Sequence, residues 1–164
     1  MKKLLIALVF VLSVGLTTAS AQSFRIGVHG GVPVGDVSDT HNFDIGGHVS
    51  YMFNPMGVFQ FGGMVGYSHY FGDSVDEGGI QFDYPDAQFL PIAATGRASL
   101  GDAVFVGLDL GYGIGVNDGN DGGFLWRPKL GFDFMGVGVV GSFENYSMDG
   151  GTVSSVNVGV EFGL

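Results

Sequence analysis

The sequence predicts an all-β chain, an eight-stranded antiparallel up-and-down transmembrane β-barrel, on three observations. Apolar residues recur at every second position through eight segments, and no helical period appears after residue 21. The connections alternate between tight turns and longer acidic loops. Inside the segments, every charge shares parity with glycine and serine and none with the Val/Ile/Leu/Phe face.

Residues 1–21 read as a leader to be removed. Lys2 and Lys3 form a basic start, residues 4–16 an apolar middle, and Ala19-Ser20-Ala21 a small-residue cleavage site. The apolar run is short for a membrane helix, and no second one follows. Residues 22–164 are then one barrel domain. The chain has no cysteine, which excludes disulfides, thiolate metal sites and a lipid-bearing cysteine. Sixteen acids stand against six bases, two of them in the leader, so nucleic acid is not expected as a partner. Mean hydropathy is positive without a long apolar run in the rest of the chain, a combination that suits a membrane barrel.

The eight segments are 24–34, 42–53, 58–71, 87–99, 103–116, 124–134, 137–146 and 153–164. The fifth is the clearest. Val104, Val106, Leu108, Leu110, Tyr112, Ile114 and Val116 alternate with Phe105, Gly107, Asp109, Gly111, Gly113 and Gly115. A tilted strand needs roughly 9–11 residues to cross a bilayer, apolar toward lipid and small or polar toward the lumen. Tight turns follow the second, fourth and sixth segments, at Asn54, Leu100 and Met135. Longer loops rich in Gly, Asp and Ser follow the first, third, fifth and seventh, which puts all of them at one end. In an outer-membrane barrel the turns and, for an even strand number, both termini are periplasmic, with the loops extracellular.

The segment charges are Arg25, Asp44, Arg97, Asp109, Arg127, Lys129, Asp133, Glu144 and Glu161. An Arg or Lys toward mid-bilayer lipid would cost about 2–4 kcal/mol, which accounts for their absence from the greasy parity. Outward aromatics fall toward segment ends. Phe24, Phe53, Phe59, Phe61, Phe132, Phe134 and Phe162 lie at the turn side, and Phe43, Tyr67, Phe71, Tyr112, Phe124, Trp126 and Phe143 at the loop side. Two such belts mark the membrane interfaces. Pro91 and Pro128 interrupt the fourth and sixth segments, both near Gly111 and Tyr112 on the fifth, and bulges are expected there, or strand portions standing above the membrane.

The stretches "FLPIAATGRASLGDAVFVGLDLGYGIGV", "RPKLGFDF" and "VNVGVEFGL" resemble the small outer-membrane β-barrel domain proteins common in Bacteroidota, which are similar in architecture to OmpX- and OmpA-type barrels. The resemblance runs over residues 22–164. It implies an outer-membrane location, contact with outer-membrane lipid and insertion by the outer-membrane assembly machinery. It implies no particular chemistry.

An eight-stranded lumen is just wide enough for side chains to fill. Inward glycines face Met52, Met64, Tyr70, Phe89, Phe105 and the charges. A lumenal ion-pair network is therefore expected of Arg25, Arg97, Asp109, Arg127, Lys129, Asp133, Glu144 and Glu161. Closure of the first segment on the eighth brings Arg25 toward Glu161, and Arg97, Asp109, Lys129 and Asp133 interleave on neighbouring segments.

Hairpin counting sets His29 opposite His48 with Asp44 one step away, a candidate metal set, although a polar lumen accommodates histidine without an ion. "HVS" at His48 points into the lumen, away from acyl chains. His69 and Tyr67 face outward near the rim, with no nucleophile of their parity nearby. "DSVDE" and "NDGND" in the loops carry calcium-ligand residue types without the twelve-residue calcium loop; solvated turns account for them.

Ile80, Phe82 and Tyr84 in the longest loop extend as strand above the membrane, a sheet edge open to an extracellular protein or ligand. The expected role is non-enzymatic, structural or surface-interacting, without a cofactor. A narrow pore and an outer-leaflet lipid-modifying enzyme are the competing readings. A soluble lipocalin-like barrel would reverse the two faces.

Overall fold

The structure, a computed structural model, describes residues 22–53, 57–77 and 80–164, with side chains for all of these except 22–23, 75–77 and 80–82. The leader, 1–21, and most of the turn at Asn54 lie outside the described residues.

Period-two alternation becomes strand wherever it was read. The barrel strands are β1 (Gln22–Val34), β2 (His41–Phe53), β3 (Phe59–Gly72), β6 (Ala87–Leu100), β7 (Val104–Gly115), β8 (Gly123–Phe134), β9 (Val137–Met148) and β10 (Gly151–Gly163). Between β3 and β6, β4 (Ser74–Glu77) and β5 (Ile80–Asp83) make a separate two-stranded ladder. Each barrel strand pairs antiparallel with its neighbour, and β1 closes on β10 from Arg25↔Gly163 to Val34↔Ser154. The chain is an eight-stranded, up-and-down transmembrane β-barrel.

The faces are sorted as hydrocarbon outside and charge inside require. Val106, Leu108 and Leu110 are each about 40% exposed on the outer surface, whereas Asp109 between them is fully buried. Arg97, Arg127, Lys129, Glu144 and Glu161 are likewise buried in the lumen. Outside, rings touch in belts. Phe24, Tyr51, Phe53 and Phe61 form a chain at the turn end, and Phe43, Phe71, His69 and Tyr67 another at the loop end.

The loop half of the lumen is closed by aromatic packing. Phe89 and Tyr146 stack with centroids 4.0 Å apart, and Tyr70 meets both edge-on, with Met64, Ala93, Leu125 and Val153 around them. Toward the turn end the Arg97 guanidinium lies 3.6 Å over the Phe105 ring. Large residues fit because small ones face them. A Cβ on Gly113 would collide with Tyr146, and one on Gly131 with Phe105.

The bulges expected at Pro91 and Pro128 do not form. Pro91 faces Gly113, next to Tyr112 as expected, and Pro128 faces Leu108, farther toward the turn end, with unbroken register on the β7 side. The ladder is interrupted on the other side instead. Pairing of β3 with β6 skips from Val65↔Ile92 to Ser68↔Phe89, and that of β8 with β9 from Trp126↔Asn145 to Lys129↔Ser142, without a change of register. A skipped pair loses local hydrogen bonds, whereas a one-residue slip would turn every later side chain to the wrong face. The register shift that does occur among the described residues lies between His41 and Phe43.

Candidate functional site

Two groups of charges, buried except for the half-buried Arg25 and Asp133, lie in the lumen between the aromatic plug and the turn end. In the first, Asp109 and Arg127 are direct cross-strand partners on β7 and β8. Arg127 Nη2 lies 2.7 Å from Asp109 Oδ2, and its Nη1 lies 2.9 Å from Glu144 Oε2 on β9. Lys129 Nζ reaches Asp109 Oδ1 at 2.8 Å. The Tyr70 hydroxyl donates to Glu144 at 3.2 Å and lies 3.0 Å from Ser155 Oγ, tying this group to the plug.

In the second group, Arg97 pairs with Glu161, lies 3.6 Å from Asp133, and shares that carboxylate with Arg25 at 2.7 Å. His48 Nε2 stands 3.3 Å from Glu161 Oε1. Arg25 therefore does not meet Glu161. Register puts it opposite Gly163, and its guanidinium crosses the lumen to Asp133 on β8 while Arg97 and His48 occupy Glu161.

His29 does not stand opposite His48 either. His29 pairs with Gly46 and His48 with Gly27, so the two are offset along the wall. Asp44 faces Gly31, and the Asn157 amide, with its nitrogen turned toward the carboxylate, donates to Asp44 Oδ2 at 2.7 Å. Among the described residues no His/Asp/Glu group has metal-holding geometry.

At the loop end, His69 acquires a carboxylate that strand parity did not supply. Its Nε2 lies 2.8 Å from Asp86 Oδ2, and its Nδ1 lies 3.1 Å from the Tyr67 hydroxyl. Asp86 also accepts the Gly72 backbone N–H at 2.9 Å, so it clasps the loop to β3. That N–H, and then His69, hold the Asp86 carboxyl below its ordinary 3.8. Because the folded value is depressed, the clasp contributes stability above pH 3.8 that is lost as pH falls through the folded value. Asp86→Ala should therefore lower the urea midpoint of the refolded barrel at pH 7, with the gap to the parent narrowing below pH 3.8. An equal gap at pH 7 and pH 2.5 would show the clasp to be uncharged packing. With Asp86 partly exposed, the effect is small.

The "NDGND" loop uses its amides on the neighbouring loop. Asn117 accepts the Gln88 N–H at 2.9 Å and donates to the Asp86 carbonyl at 2.7 Å, and Asn120 donates to the Gln88 carbonyl at 2.8 Å. Ile80 and Phe82 lie in β5 of the separate ladder, so this segment stands apart from the barrel sheet instead of extending it. Tyr84, just beyond, is exposed.

One polar cluster escaped the sequence reading. On the outer face Trp126 Nε1 donates to Asn145 at 2.8 Å, Ser147 donates to the same oxygen at 2.8 Å, and Asn145 donates to Ser154 at 2.7 Å. Asn145 and Ser154 share outward parity and are direct partners across β9 and β10. Two adjacent polar residues on a greasy face beside a tryptophan were the available signal. Each satisfies the other's hydrogen-bonding groups, which lowers the cost of polar atoms near lipid.

No family model and no curated protein matches this chain. Solved structures do. Ail, the attachment invasion locus protein of Yersinia pestis, crystallised with the heparin analogue sucrose octasulfate, is 14% identical with a TM-score of 0.58, covering 88% of this chain and 99% of its own. The N-terminal β-barrel domain of Pseudomonas aeruginosa OprF is 14% identical with a TM-score of 0.51, covering 87% and 97%. A de novo designed transmembrane β-barrel is 9% identical with a TM-score of 0.55, covering 87% and 95%. At such identities the likeness is one of fold. A designed barrel among the matches shows that the architecture by itself specifies no task.

Proposed function

We propose that this chain is an integral outer-membrane protein of a Gram-negative-type cell, made with a cleaved leader at 1–21, whose barrel is a closed, non-enzymatic anchor and whose loop end is its interacting surface. Loops face outside, and both termini lie in the periplasm. The single observation that carries this reading is the filled lumen. A cavity of about 230 Å³ lined by Arg25, Arg97, Phe105 and Asp133 opens at the turn-end mouth. Deeper in, the Phe89–Tyr146 stack blocks the loop half and Arg127 with Asp109 and Glu144 the middle, where the space between His29, His48, Arg127, Lys129 and Glu161 is about 10 Å³. That is about one water, which leaves no passage for a hydrated ion.

The interacting surface rests on the β4–β5 ladder, whose outer edges pair with no barrel strand. Such an edge can take an extended segment from a partner. Ten acids crowd the loop end, and every Lys and Arg of residues 22–164 lies in the barrel wall. The ligand in the Ail crystal is a polyanion. A surface as acidic as this one repels polyanions, so its partner is neutral or basic.

Planar-bilayer recording of the refolded protein tests the closed lumen. Discrete conductance steps should be absent. Steady unitary steps whose size changes with Arg97→Ala or Asp109→Asn would replace the anchor with a narrow pore.

A further inference from the structure

Above the aromatic plug the barrel mouth opens into a cavity of about 300 Å³. Its floor is apolar, with Val37, Ala87 and Met148 lying over the buried Phe89 and Val153, and His41, Asp86 and Asp118 stand among its lining residues. Among the described residues that line it, none is Lys or Arg. The walls are held in place before any ligand arrives, because Asn117 and Asn120 fasten the loop carrying Asp118 to the Asp86–Gln88 backbone. A preformed apolar cavity with a few polar groups at its rim, in the mouth of a barrel, is how small-molecule sites are built.

Charge decides what fits. The volume lies at the lower end for such sites, enough for one ring or a short branched chain. The loop end carries ten carboxylates with no Lys or Arg to offset them and only the imidazoles of His41 and His69 beside them, so its field draws cations and excludes anions. An apolar floor demands an apolar body, since a multiply charged or sugar-like ligand would lose hydration there without compensation. We propose that this cavity binds a small amphiphilic monocation, an organic amine with its apolar body on Val37, Ala87 and Met148 and its ammonium toward Asp118. This adds a ligand site to the surface role and does not depend on the β4–β5 edge.

The test uses the full refolded barrel in lipid nanodiscs, with empty nanodiscs as the blank, and phenethylammonium as the probe. Phenethyl alcohol and phenylacetate are the neutral and anionic counterparts. Equilibrium dialysis should show saturable one-to-one binding of the cation, about tenfold tighter than the alcohol at low salt, with the anion weakest. Asp118→Asn, on an exposed loop where folding is not at risk, should weaken the cation about fivefold and leave the alcohol unchanged. Ala87→Phe, which fills the floor, should abolish both, provided circular dichroism shows a folded barrel. Equal binding of cation and alcohol overturns the proposal, as does full binding to a folded Ala87→Phe barrel or no saturable binding above the blank.

Discussion

Arg127→Met should destabilise the refolded barrel by about 3–5 kcal/mol, the largest loss expected of any single lumenal substitution. Arg127 neutralises two carboxylates at once, Asp109 at 2.7 Å and Glu144 at 2.9 Å, and both are fully buried. Removing the guanidinium leaves Asp109 with Lys129 but strips Glu144 of its arginine, leaving neutral hydroxyls such as that of Tyr70 to donate to it. A buried, unpaired carboxylate is costly, and methionine fills volume without supplying charge. Urea unfolding in lipid at neutral pH measures the loss. Arg127→Lys should fall between parent and Arg127→Met, because one ammonium cannot reproduce a planar fork spanning two carboxylates. Adding Glu144→Gln to Arg127→Met should recover a large part of the loss, since the uncompensated charge disappears with it. A loss below about 1 kcal/mol would mean that the lumen is wet enough to screen these groups.

Leu108→Arg should cost about 2–4 kcal/mol when the barrel folds into bilayers. Leu108 sits near the middle of β7, between Gly96 and Pro128, on the outer face and 41% exposed. In a water-soluble protein a site so exposed would tolerate arginine within about 0.5 kcal/mol. The two environments therefore predict different numbers for one substitution. Folding titrations into lipid vesicles decide between them. A near-neutral result would put water around the cylinder and reverse the assignment of its faces.

Strand positions were legible because the environment offers each side chain only two choices. Val106, Leu108 and Leu110 against Gly107, Asp109 and Gly111 state that choice at consecutive residues, and β7 follows. Loop and turn lengths then gave the order of strands. Partners across the lumen were not legible, since hairpin counting reports neighbours along the wall. Arg25 on β1 meets Asp133 on β8, and Arg97 on β6 meets Glu161 on β10, by crossing the interior. The histidine offset has a different origin. His29 and His48 flank a loop with a 3-10 turn at Gly35–Val37, and misjudging its span slides the whole hairpin by two residues. Asp86 lies outside the barrel strands, so parity could not place its carboxylate beside His69.

The gaps at Pro91 and Pro128 both face away from β7. The wall is thus two panels, β6–β7–β8 and β9–β10–β1–β2–β3, joined to each other along two imperfect seams and otherwise continuous apart from the shift at His41 near the loop end of β2. Arg97 to Glu161, Arg25 to Asp133 and Arg127 to Glu144 each run from one panel to the other. Charges inside the cylinder therefore act as cross-braces, resisting lateral opening where the backbone is weakest. Discharging them would let the wall part along those seams before either panel unravels.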